Sequence, residues 1–150
     1  VLFYDMIVFV EGRYDMKEKR KELRYKIMTI LYQIELYKNN SIDYNMEDII
    51  REHITEDSKF VRDIVDGVTD NVQYLDRICN GYLEGWTMDR LGFTDRAILR
   101  MGVYELLNMD TPDLVAIDGA IELAKKYSDE KVVSMINGVL DKVYHNKDHM

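Results

Sequence analysis

The chain is poor in everything that would tie or break it. Its single cysteine, Cys79, rules out an intramolecular disulfide and any cysteine-built zinc site. Its single proline, Pro112, leaves nearly the whole length open to helix. No apolar run approaches the roughly 20 residues that a membrane span needs. The histidines are equally uninformative: His53 lies far from His145 and His149, and those two, four residues apart in the polar tail, do not make an H-E-x-x-H zinc motif. There is no phosphate-cradling glycine loop. No nucleophile stands beside a base, and the carboxylates fall mostly on polar helix faces. The reading is therefore non-enzymatic, with no cofactor, no metal and no membrane partner, in a reducing compartment such as the cytoplasm.

What is present favours helices packed around an apolar core. Hydrophobic residues make up 47% of 150 residues and charged ones 32%, enough for one compact domain or two small units sharing a core. Leu, Ile, Lys and Glu are abundant, and these suit helices better than sheets. The net charge of −8 is unevenly spread. Residues 16–26 hold six basic and two acidic side chains, a local +4. An acidic body does not draw nucleic acid by its bulk field, but a basic cluster can hold phosphates locally. A solvated basic run with no partner is the plainer alternative.

Residues 1–15 stand apart. They lack the basic start of a signal peptide and carry Asp5 within their apolar stretch. Glu11-Gly12-Arg13 is what a purine-rich ribosome-binding sequence encodes when read as protein, a few codons before Met16. The expectation is a non-native or mis-annotated extension with the native start at Met16; a strand-like tail is the alternative.

Periodicity then lays out the rest. Leu23, Ile27, Ile30, Leu31 and Ile34 predict a first helix of about 17 residues from Glu22, ended by Lys38-Asn39-Asn40-Ser41. Met46, Ile49, Ile50 and Ile54 predict a short second one. Val61, Ile64, Val65, Val68, Val72, Leu75 and Cys79 predict a single third helix, capped by Asp57 or Ser58 and stopped at Asn80-Gly81. A short helix around Trp86 is expected next, then one capped by Thr94 and running to Asn108. That helix is apolar almost all round, hence central, and its charges Arg100 and Glu105 require partners on neighbouring helices. Thr111 and Pro112 start another helix, which buries Ile117, Ala120, Ile121 and Ala124. Ser128-Asp129 caps the last. The fold class is all-α, about seven helices in two packed bundles, with subdomains at about 17–80 and 82–145.

Three blocks carry a family resemblance: RAILRMGVYELL at 96–107, VAIDGAIELAKKYS at 115–128 and INGVLDK at 136–142. In order and spacing they resemble the NusB family of bacterial transcription antitermination factors. The likeness extends back through FVRDIVDGV at 60–68 to the first helix and covers about residues 17–144. It implies two helical bundles side by side. It also implies binding to single-stranded, boxA-like RNA of ribosomal RNA leader transcripts, together with the ribosomal protein NusE, within a transcription elongation complex. A homodimer is left open.

The resemblance also assigns residues. The family's arginine-rich start of the first helix falls on Lys17, Lys19, Arg20, Lys21 and Arg24, interrupted by the acid Glu22. Tyr82 matches an aromatic near the RNA path. Met135 stands where the family often has phenylalanine, which gives a poorer stacking face, and Lys131 lies one turn earlier on the same side. Tyr32, Asp95 and Arg96 match the ribosomal-protein interface, although a helix dipole alone explains an acid at Asp95. Asn137-Gly138 is expected to serve close helix packing. Two other functions compete: a helical protein-interaction adapter without RNA binding, and a stand-alone relative of the RNA-binding domain of ribosomal RNA cytosine methyltransferases.

Overall fold

The computed structural model describes the backbone of residues 2–150 and the side chains from Met16 onward; the expectation about residues 1–15 lies outside those described side chains. Helix α1 is Leu2–Asn39, much longer than its apolar stripe predicts. Periodicity detects only the part of a helix that faces a core. The Lys, Glu and Arg residues preceding Leu23 have good helix propensity but no stripe.

Helix α2 is Met46–His53, with Asn45 Oδ1 accepting from the Asp48 N–H. Helix α3 is Lys59–Asp70, where the Ser58 hydroxyl accepts from the Val61 N–H as expected. The predicted single third helix is in fact two, because α4 is a separate helix, Val72–Tyr82. The break is made by polar side chains that compete for the last carbonyls. Thr69 donates to the Val65 carbonyl and Asn71 Nδ2 to the Gly67 carbonyl at 2.7 Å. The apolar stripe continues across the break, so the pattern could not reveal it.

The helix expected around Trp86 is a loop followed by a 3₁₀ turn, Met88–Arg90. Helix α5 is Phe93–Asn108 with Gly92 as its N-cap, so Thr94 lies inside the helix and caps nothing. Helix α6 is Asp113–Tyr127 with Pro112 itself at the cap position. The Thr111 hydroxyl is committed elsewhere, donating to Glu105 Oε1 at 3.0 Å. Helix α7 is Glu130–Asn146, preceded by Asp129. Among the described residues there is no strand.

Helices α2 and α3 each pack on α1, and α5, α6 and α7 pack on one another; α4 joins α5 and α7, and α1 lies along α5 between the two groups. Central α5 touches α1, α3, α4, α6 and α7, which is why its sequence is apolar almost all round. One contiguous core results, with Ile27, Ile30, Ile64, Leu75, Ile98, Leu99, Ile136 and Leu140 fully buried. Burying each such side chain contributes about 1.5–3 kcal/mol. In α6 the buried set is Ala116, Gly119, Ala120, Leu123 and Ala124, so Ile117 and Ile121 only flank the core.

Close helix approach falls on other glycines than expected. A Cβ on Gly138 would meet nothing within 4 Å, and Asn137 is exposed; this pair does not pack a neighbour. Gly102 does, lying where a Cβ would stand 3.0 Å from that of Ala120.

Candidate nucleic-acid interface

The two charges within α5 are partnered by neighbouring helices. Arg100 donates to both oxygens of Asp76 on α4, at 2.7 and 2.8 Å, and to Glu35 on α1 at 3.1 Å. Burial opposes its charge, but Asp76 and then Glu35 outweigh that and raise its pKa. Glu105 is 1% exposed and receives Arg24 of α1 in a two-point fork, Nε to Oε2 at 3.0 Å and Nη2 to Oε1 at 2.6 Å.

That fork corrects one expected site residue. Arg24 is only 5% exposed. Its guanidinium lies beneath Gly119, where a Cβ would come within 2.6 Å of Nε. An ion held in this way cannot reach a phosphate in solvent. Arg24 joins α1 to α5 and α6, and it drops out of the candidate surface.

The other expected cations remain available. Lys17, Lys19 and Lys21 are exposed. Lys19 has one distant contact with Glu56, 3.9 Å, of the exposed kind that contributes little. Arg20 is half-buried because its guanidinium lies 4.0 Å from the Phe60 ring centroid. Beside these residues a groove of about 610 Å³ opens between α1 and the end of α6, lined among others by Lys19, Lys21, Tyr25, Lys126 and Tyr127. Tyr25 and Tyr127 stack across it with centroids 5.6 Å apart, and both are over 40% exposed. Glu18, Glu22 and Glu122 also line it, so its cations act one by one rather than as a uniform field. A larger groove of about 750 Å³, between α1, the α3–α4 junction and α5, contains none of the expected site residues.

The remaining expected residues fall in two places. Tyr82 ends α4 and Met135 lies on α7, both half-buried against the core. Lys131 is exposed on the first turn of α7, its Nζ 5.9 Å from the Trp86 ring centroid. Two of the expected partner-binding residues, Tyr32 and Arg96, come together on one ring, and Asp95 makes a separate contact. Tyr32 of α1 meets Phe93 edge-on at 6.0 Å, and Arg96 lies 4.7 Å from the same Phe93 ring. Arg96 is largely spent inside the protein, paired with Glu35 at 2.9 Å and 13% exposed in its side chain. Asp95 accepts from the Ser128 hydroxyl, fastening the α6–α7 turn to the start of α5. Exposed Tyr32 is thus the outward group of this cluster, meeting the Phe93 ring on which Arg96 packs.

Sequence reasoning missed the aromatic groups Tyr25, Tyr127 and Trp86. Trp86 carried a signal as the one tryptophan of the chain. The two tyrosines carried none, since they are distant in sequence and only packing brings them together. Among the described residues no group of three or more His, Cys, Asp or Glu could hold a metal, and no helix is long and apolar enough to cross a membrane.

Fold and surface together define a two-bundle helical protein whose outward groups are lysines and aromatic faces. Its relatives say which one. Residues 21–145 match the NusB family, and the chain belongs to that family. It is 39% identical over 129 residues to the transcription antitermination protein NusB of Pseudothermotoga lettingae, spanning 83% of this chain and 90% of that one. Among solved structures, NusB of T. maritima is similar with a TM-score of 0.73 and 32% identity, covering 87% of this chain and 97% of its own. A crystal structure of the antitermination factors NusB and NusE in complex with dsRNA gives 0.68 and 29%, with 84% and 96% covered.

Proposed function

We propose that this chain is a transcription antitermination factor that binds boxA-type RNA of ribosomal RNA leader transcripts together with the ribosomal protein NusE. The observation that carries the reading is the set of exposed lysines on α1, Lys17, Lys19 and Lys21, the last two lining a groove with two tyrosine faces. Lysines neutralise phosphates and release their counterions, while aromatic faces take unpaired bases. Family membership supplies the RNA and the protein partner. The Tyr32–Phe93 cluster, with Arg96 packed on the Phe93 ring, is the surface offered to NusE. The chain acts by binding, in the cytoplasm, and catalyses nothing.

The test is titration of a boxA-type single strand at several salt concentrations, with and without NusE. Log K is expected to fall with log salt by about 0.7 per phosphate contact. Charge reversal at Lys17 and Lys21 should abolish RNA retention while NusE pulldown persists. Salt-independent or absent RNA binding with NusE present would leave only the protein-interaction adapter.

A further inference from the structure

Trp86 has no role in the core, yet the structure fixes it firmly at the surface. It is 37% exposed in the loop between α4 and the 3₁₀ turn. Three contacts and one backbone conformation hold that loop. Glu84 accepts from Lys142 Nζ of α7 at 2.9 Å, and this bond keeps the Glu84 carboxyl below its ordinary pKa. Gly85 takes a φ of 75°, a left-handed conformation suited to glycine. Asn80 Oδ1 accepts from the Met88 N–H at 2.8 Å, and the Met88 side chain is 2% exposed, plugged into the core.

An indole presented in this way has two common uses, and its surroundings separate them. A protein-binding hot spot sits within a ring of apolar contacts that exclude water. The loop neighbours of Trp86 are Glu84, Gly85, Thr87 and Asp89, all exposed, so no such ring exists in the loop. A platform for an unpaired base needs only a π face and a nearby cation for the adjoining phosphate. Lys131 supplies the cation. Its Nζ stands 5.9 Å from the ring centroid, at the outer limit of cation–π attraction, and it has no ion-pair partner among the described residues. It is therefore free to move to a phosphate at little cost. Met135 follows Lys131 by one helical turn on the same side of α7.

We propose that Trp86 is a base-stacking residue of the RNA site: an unpaired base lies on its indole while Lys131 holds the neighbouring phosphate. This rests on the RNA-binding reading and adds the indole of the α4–α5 connection to the Tyr82, Lys131 and Met135 positions that the resemblance already implies.

The lone tryptophan makes the test direct. The full chain with NusE, supplied as a tryptophan-free variant, is titrated with an end-labelled boxA-type single strand. Indole emission and label anisotropy are followed together. Saturable quenching that tracks the anisotropy curve is expected. Trp86→Leu, which keeps apolar bulk but loses the π face, should weaken binding by about 5- to 150-fold, and Trp86→Phe should restore most of it. Lys131→Ala should lower the salt slope by about 0.7. Anisotropy that rises without quenching, with Trp86→Leu binding like the wild type, overturns the stacking role and leaves RNA binding standing. The same holds if a duplex, whose base faces are hidden, binds as tightly as the single strand. No rise in anisotropy with either RNA overturns both readings.

Discussion

Replacing Arg24 separates a buried brace from an RNA contact, because the two roles give opposite results. In Arg24→Met the Glu105 carboxylate stays 1% exposed in the parent geometry and keeps only the Thr111 hydroxyl at 3.0 Å. Removing one partner of a buried pair costs about 3–5 kcal/mol, a large share of the ~5–15 kcal/mol that holds a typical domain together. At ~2–4 °C per kcal/mol for a chain of this size, the melting temperature should fall by about 6–20 °C. Urea unfolding followed by circular dichroism gives the free energy. The double variant Arg24→Met/Glu105→Leu should recover most of the loss, since an apolar pair of similar volume carries no stranded charge. Below its melting transition, Arg24→Met should keep the wild-type salt slope for RNA, whereas Lys21→Met should lose about 0.7 of it. A loss under ~1 kcal/mol together with a reduced slope would place Arg24 in solvent on the RNA and refute the argument.

Further outcomes follow from the same packing. Gly119→Ala should destabilise despite alanine's ~1 kcal/mol helix advantage, because its methyl would meet an Arg24 guanidinium that is pinned to Glu105. Gly138→Ala, with nothing within 4 Å, should instead stabilise by up to ~1 kcal/mol, and thermal melts of the pair compare the two. Burial pushes the Cys79 thiol up to about 12, so it should resist DTNB in the native protein at neutral pH and react at once in denaturant. The hydrogen bond from Arg62 holds Glu47 below its ordinary 4.5, so this pair stabilises fully above that pH and is lost as pH falls through the lowered value. Urea midpoints of Arg62→Gln and the wild type should therefore differ near neutrality and converge in acid. A gap of constant size would show that the pair does not titrate.

Much of the fold was legible because hydrophobic period reports directly which residues share a buried face. Val61 to Cys79 and the nearly all-apolar stretch from Ala97 to Leu107 marked the core, and the requirement that Arg100 and Glu105 be paired followed from their apolar context alone. Two kinds of boundary were not legible. The charged stretch of α1 just before Leu23 has no stripe to detect, and the α3–α4 break is made by Thr69 and Asn71 side chains taking carbonyls inside a stripe that continues.

The sequence by itself determined an all-helical chain, its central helix, its family and a cluster of cations near residue 20. Tertiary structure alone decided that Arg24 turns inward to Glu105 while its neighbour Lys21 stays in water. It also decided that Tyr25 meets Tyr127, and that Trp86 stands exposed beside Lys131. The reason is geometric. A helical repeat fixes the side of the helix on which each residue lies, but the partner opposite comes from a distant part of the chain, and only the packing of α1 against α5 and α6 brings it there.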